Sequence, residues 1–274
     1  MIEMEKIAEG KTKIIWAIPG VKDEVIIESK DQITAGDGAK KDIIEKKGIF
    51  ANETTCNCFA LLNSKGVPTH FIEKTSERTF RAHKVKMIPI ELVARRIATG
   101  SFLKRNPEIR EGTIFNEIVT EFFLKDDTRH DPLMIWKDEK QHFELYDAKL
   151  PLNQGYLGDL LPQDLQIPVD ETVVKKLQDI LIRVFLILEE AWAVQNVSLV
   201  DLKIECGYDA RGELLVADVI DNDSWRIWPR GDKTQMKDKQ VYRDSPELTL
   251  EVREILKKNY AWVAEATKKF RFRE

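Results

Sequence analysis

Apolar residues recur along this chain at two intervals, and the interval decides which element each stretch can form. In 173–188, Val173, Val174, Leu177, Ile180, Leu181, Val184, Phe185 and Leu188 return every three or four positions behind Pro168 and Asp170. That spacing predicts a helix whose apolar stripe is core. A last helix is expected where Leu248, Val252, Ile255, Leu256, Val263 and Phe270 face the body, with Lys257, Lys258, Lys268 and Lys269 as a solvated face. The segments 13–18 and 24–29 are instead short and rich in Ile and Val, and Pro19 and Gly20 part them, so they read as a hairpin. A second hairpin is predicted from the runs 197–206 and 214–220 around the turn Asp209, Ala210, Arg211, Gly212.

Other stretches are less regular. The pattern over 39–62 is helix-compatible, with Ile43, Ile44, Phe50, Phe59 and Leu62 as anchors and Gly66 and Pro68 as the stop. Strand-like alternation returns near 69–73 and 78–84, and the apolar run 85–90 carries Pro89. The domain junction is expected there, giving domains 1–86 and 87–274. Pro, Gly, Asn, Gln and Asp crowd 131–168, which reads as irregular connection. No internal repeat is present.

Composition narrows the classes. Hydrophobic residues make up 43% of 274, too many for a disordered chain. The 43 Lys and Arg nearly balance 47 Asp and Glu, which argues against a nucleic-acid binder and leaves small anionic ligands open. The most apolar window, 180–188, contains Arg183 and is too short to span a membrane. Residues 1–6 have no signal-peptide pattern. Cys56, Cys58 and Cys206 form no Cys-x-x-Cys pair, so no disulfide or zinc framework is expected and the cytoplasm is the expected compartment.

Candidate chemistry gathers in three places. Alternation over 201–206 puts Asp201, Lys203 and Glu205 on one strand face, and counting about the turn brings Asp218 close, with Asp221 and Asp223 following. So many carboxylates repel unless a cation is present, and hard oxygen donors suit Mg²⁺ shared with phosphates. A solvated face with a salt bridge is the plainer alternative. Glu9, Gly10, Lys11, Thr12, Lys13 offer two lysines to a polyphosphate, although Glu5 stands where a P-loop needs Gly. Lys41 likewise spoils a dinucleotide fingerprint after Gly36, Asp37, Gly38. Arg95, Arg96, Thr99, Gly100, Ser101, Lys104 and Arg105 can seat a phosphate, and Arg226, Lys237, Lys239 and Arg243 add cations later. No metalloprotease or serine-hydrolase motif accompanies the four histidines.

Read in order, Glu9 to Lys13, Ser29 to Asp37, Arg95 to Arg105, Leu199 to Gly207 and Asp218 to Trp228 resemble the phosphoribosylaminoimidazole-succinocarboxamide synthases, or SAICAR synthetases. The strings 98–107 (ATGSFLKRNP) and 218–226 (DVIDNDSWR) carry most of that resemblance and look most like the synthetase part of the bifunctional animal enzyme. The resemblance implies an α+β, two-domain fold, with a small antiparallel β-rich ATP-binding domain packed on a larger α+β domain. It implies ATP-dependent joining of carboxyaminoimidazole ribonucleotide (CAIR) to L-aspartate, with Mg²⁺, through an acyl phosphate, and neither nucleic-acid nor membrane partners. Self-association is left open. By similarity, Lys11, Lys13, Met87, Lys125, Glu205 and Asp218 serve ATP, and Glu205 and Asp218 also serve the metal. Gly36, Asp37, Arg95, Ser101, Arg226, Lys239 and Arg243 serve the ribonucleotide side, and Asp201 and Lys203 stand beside the reacting carboxylate. The alternatives are a small-molecule phosphotransferase, though kinase signatures are absent, and a non-catalytic nucleotide-binding module.

Overall fold

In the computed structural model, residues 4–35 and 39–270 are described, so Gly36 and Asp37 lie outside the described residues. The chain opens with strands β1 (Lys6–Glu9), β2 (Lys13–Ile18) and β3 (Val21–Ser29) and a short hairpin of β4 (Gln32–Ala35) with β5 (Lys40–Ile43). Helix α1 (Lys47–Ser64) and strands β6 (Phe71–Lys74) and β7 (Thr79–His83) follow. Next come β8 (Lys86–Ile97), α2 (Ser101–Arg105), β9 (Ile114–Leu124), β10 (Leu133–Lys137), β11 (His142–Tyr146) and β12 (Tyr156–Leu160). The remainder is α3 (Glu171–Ala193), β13 (Val197–Tyr208), β14 (Leu214–Ala217), β15 (Trp225–Pro229), α4 (Gln240–Asp244) and α5 (Leu250–Thr267).

Two antiparallel sheets organise these elements. A five-stranded sheet runs β1-β2-β3-β7-β6, and an eight-stranded one runs β12-β11-β10-β9-β8-β13-β14 with β15 also on β13. The expected 13–18/24–29 hairpin is therefore present, and so is the one around Asp209. Helix α3 starts where Asp170 caps it by accepting from the Val173 amide, and its stripe of Leu177, Leu181, Val184, Phe185 and Leu188 is fully buried against the large sheet. The fold is α+β.

Four expectations need correction. The helix-compatible 39–62 stretch begins as strand β5, because Lys40–Ile43 alternates exposure and pairs with β4, and the helix starts only after Lys46 turns the chain at φ 66°. The segment 131–168 holds β10, β11 and β12. Pro132, Asp138, Pro151 and Gly155 fall in the turns beside strands of only five residues each, and that is why the run looked irregular. The run 214–220 stops being strand at Ala217, since Asp218 adopts φ 66°. Ile255 does not face the body and is 40% exposed. Strand β9 has no counterpart in the sequence reading. No helix among the described residues is long and apolar enough to cross a membrane.

Candidate active site

Strand β13 divides its side chains as its alternation requires. Leu202, Ile204 and Cys206 enter the main core, while Asp201, Lys203 and Glu205 take the other face. Register then supplies their neighbours: Asp201 stands opposite Arg95, Lys203 opposite Val93 and Glu205 opposite Glu91 on β8, and Glu121 and Phe123 of β9 stand opposite Val93 and Glu91. One charged sheet face results, and two cavities open on it. A polar basin of about 490 Å³ is lined by Lys11, Arg95, Ser101, Asp201, Lys203, Asp218, Arg226, Lys239 and Arg243. A more apolar slot of about 400 Å³ is walled by Ile15, Val25, Ile27, Met87 and Pro89, with Lys13, Lys125, Glu205 and Asp218 at its polar end. Asp218 borders both, so the two spaces meet there. Every described residue that the resemblance assigns a role thus lines one cavity or the other, although Lys11 opens on the basin rather than on the slot with Lys13, whereas Arg96, Thr99, Gly100, Lys104, Arg105, Asp221 and Lys237 line neither.

The carboxylates are not left to repel one another. Lys203 Nζ lies 2.8 Å from Glu91 and 3.4 Å from Glu205, and Lys125 Nζ donates to Glu205 at 2.7 Å. Lys13 pairs with Asp218. Asp201 pairs with both Arg95, at 2.8 Å, and Arg226. Asp223 meets Lys239 at 3.2 Å and the wholly buried Lys47 at 3.6 Å, and accepts from the Tyr260 hydroxyl. The expected crowd of unbalanced acids is therefore a mesh in which Asp201, Glu205, Asp218 and Asp223 are each answered by a cation, and the sheet face is far from fully solvated: Asp201 and Glu205 are both 4% exposed. Among the described residues, no group of three or more His, Cys, Asp or Glu stands ready to hold a metal by itself.

These neighbours set the protonation states. Burial works against the Lys203 ammonium, but Glu91 and Glu205 outweigh it and hold its pKa above the ordinary lysine value. Burial pushes the Glu205 carboxyl up, and Lys203, Lys125 and Lys13 overcome this and hold it down. Lys13 has the opposite balance: burial pulls it down to about 8. His70 is pushed down to about 3 by burial and the nearby Lys13, so as a neutral ring it donates from Nε2 to the Asp218 carbonyl at 3.0 Å. That bond braces the left-handed turn presenting Asp218.

Backbone shape matters at Gly100, with φ 62° and ψ −137° at the head of α2. A Cβ there would lie 2.7 Å from an Arg226 guanidinium nitrogen, so the glycine makes room for this basin residue. Sequence reasoning missed Glu91, Glu121, Lys47, His70 and Tyr260. For Glu91 a signal existed: Ile88, Ile90, Leu92 and Ala94 alternate into the core, which places Glu91, Val93 and Arg95 together on the opposite face.

A family model described as SAICAR synthetase matches residues 6–259. A phosphoribosylaminoimidazole-succinocarboxamide synthase of Roseiflexus sp. (strain RS-1) is 48% identical over 96% of each chain. The human bifunctional phosphoribosylaminoimidazole carboxylase/succinocarboxamide synthetase is 45% identical over 95% of this chain and 57% of its own. Among solved structures, a SAICAR synthetase (Type-2) in complex with ADP superposes with a TM-score of 0.74 at 30% identity, covering 95% of this chain and 98% of that one. The Ehrlichia chaffeensis phosphoribosylaminoimidazole-succinocarboxamide synthase gives 0.75 at 31%, covering 96% and 98%. With the family model spanning residues 6–259 and a 48% identical relative matched over 96% of each chain, this chain belongs to the SAICAR synthetase family.

Proposed function

We propose that this protein is an ATP-dependent ligase of de novo purine biosynthesis, acting in the cytoplasm, that joins the carboxylate of CAIR to the amine of L-aspartate and releases ADP and phosphate. One observation carries the reading: an apolar slot sized for a nucleoside opens, at Asp218, onto a basin lined by three arginines and four lysines. The slot suits ATP, with Met87 against the base and Lys11, Lys13 and Lys125 along the phosphates. Arg95, Ser101, Arg226, Lys239 and Arg243 suit the ribonucleotide and its phosphate. On this reading, the five-stranded and eight-stranded sheets are the cores of the 1–86 and 87–274 domains.

Amide formation from a carboxylate needs a leaving group. The γ-phosphoryl group of ATP passes to a CAIR carboxylate oxygen, the β–γ bond breaks to give ADP, and the aspartate amine then attacks the acyl phosphate and expels phosphate. Such transfers depend on positioning and charge neutralisation. Lys203, kept charged by Glu91 and Glu205, faces the basin where negative charge accumulates. Glu205 and Asp218 share the polar end of the slot, and two carboxylates completed by phosphate oxygens fit Mg²⁺. When bound, the ion neutralises the polyphosphate. Asp201 holds Arg95 and Arg226 in place.

The test is ADP release with Mg²⁺ and ATP, omitting CAIR or L-aspartate in turn and following the succinocarboxamide product. Coupled appearance of ADP and product only with both substrates is expected. ADP formation on CAIR alone, with no demand for aspartate, would point to a phosphotransferase and overturn the ligase assignment.

A further inference from the structure

Behind the basin runs a buried chain of alternating charge. Arg226 and Arg95 both grip Asp201; Arg95 Nε donates to Glu121 at 2.6 Å; Arg105 Nε and a terminal nitrogen donate to the other Glu121 oxygen; and Arg105 reaches the Ala148 carbonyl at 2.6 Å. Arg95, Arg105, Glu121 and Asp201 are each at most 9% exposed. Three guanidiniums stand against two carboxylates, which leaves the chain one positive charge in excess, and Arg95, Asp201 and Arg226 line the basin. Glu121 and Arg105 line neither cavity.

Stability alone is a weak reason for such a chain, since apolar side chains of similar volume often hold a fold as well as buried ion pairs do. What the chain provides is geometry. With its Nε fixed on Glu121 and one terminal nitrogen on Asp201, the Arg95 guanidinium has a single orientation toward the basin. Arg105 adds a second connection, because Ala148 and Lys149 belong to the 147–155 loop between β11 and β12 and also line the basin. We propose that Glu121 and Arg105 are positioning residues for the ribonucleotide: Glu121 orients Arg95, and Arg105 ties the Ala148–Lys149 part of the lining to the same carboxylate, so that a strand and a loop of the anion site are set together. This rests on the reading of the basin as the CAIR site.

Arg105→Lys tests it, keeping the charge while losing the fork that bonds Glu121 and Ala148 at once. The expected result is a KM for CAIR raised about tenfold, equivalent to about 1.4 kcal/mol, with the KM for ATP within about twofold of wild type. Glu121→Gln, which keeps the shape and one acceptor, should move the same constant in the same direction. A purely structural role would lower Tm in both variants while leaving both KM values of the folded enzyme unchanged, and that outcome overturns the proposal. Equal rises in both KM values also overturn it. If Glu121→Gln does not fold, Arg105→Lys decides alone. Failure of the underlying reading is distinguishable, because wild-type enzyme would then show no CAIR-dependent turnover; such a result removes the proposal together with that reading.

Discussion

Replacing Gly100 with alanine strikes the site through its backbone. Gly100 has φ 62° and ψ −137°, a conformation held almost only by glycine, so alanine costs about 1–3 kcal/mol in strain. At about 2–4 °C per kcal/mol for a chain of this size, Tm should fall by roughly 2–12 °C. The new methyl would also stand 2.7 Å from an Arg226 nitrogen, whereas ordinary contact begins at 3.4 Å, so the guanidinium must retreat by about 0.7 Å. Arg226 is not free to do so without loosening its ion pair with Asp201 and its 3.3 Å bond to Gln240. A charge-assisted bond contributes about 1.5–3 kcal/mol. Losing half of it would raise the KM for CAIR about 4- to 13-fold and leave that for ATP nearly unchanged. Initial-rate kinetics beside a thermal melt measure both effects. Gly212→Ala is the control: φ is 77° in the Asp209 hairpin and nothing lies within 4 Å, so it also places alanine at a positive φ without touching the site. If Gly100→Ala loses stability like Gly212→Ala but binds CAIR as wild type does, Arg226 does not hold the ribonucleotide and the reasoning is wrong.

Lys203→Met should lower kcat by about 10²–10³-fold, the usual loss when a charge-stabilising donor is removed, and kcat within threefold of wild type would exclude Lys203 from the reacting centre. Chelation of divalent cations should stop ADP release and added Mg²⁺ should restore it; full turnover in excess chelator would remove the metal role from Glu205 and Asp218. Asp238 gives a pH signature. Burial raises its carboxyl to about 6 from 3.8, so between these values the folded protein holds more protons than the unfolded one, and this group's contribution to stability falls as pH rises through that window, by roughly 2–3 kcal/mol. Melts of wild type and Asp238→Asn from pH 4 to 7 should differ in slope over that interval, the variant lacking the decline, and parallel curves would refute it.

How much could be read without the structure follows from how local each signal is. The α3 stripe and the β13 alternation lie within one element, so both were legible, and the second put Asp201, Lys203 and Glu205 on one face. Strand β9 was opaque because only its last four residues are buried, which leaves its first half with no apolar alternation. Glu121 sits at the edge of that buried stretch and acquires its meaning from pairing: it reaches Arg95 across the β8–β9 ladder and Arg105 from α2. Lys47 was hidden for a related reason. Its partners Asp223 and Tyr260 come from the far end of the chain.

That long reach bears on how the protein is made. Lys40 donates to the carbonyls of Tyr242 and Ser245, Arg253 to that of Ile43, Asn57 to Thr267, and α1 packs along α5. On a ribosome, residues 40–57 therefore emerge about 200 residues before the segments that bury them. Contacts so distant in sequence form late and slowly. Until α5 is synthesised, the face of α1 that it covers waits uncovered, so the segment 40–64 cannot finish folding vectorially and α5 acts as its closing event.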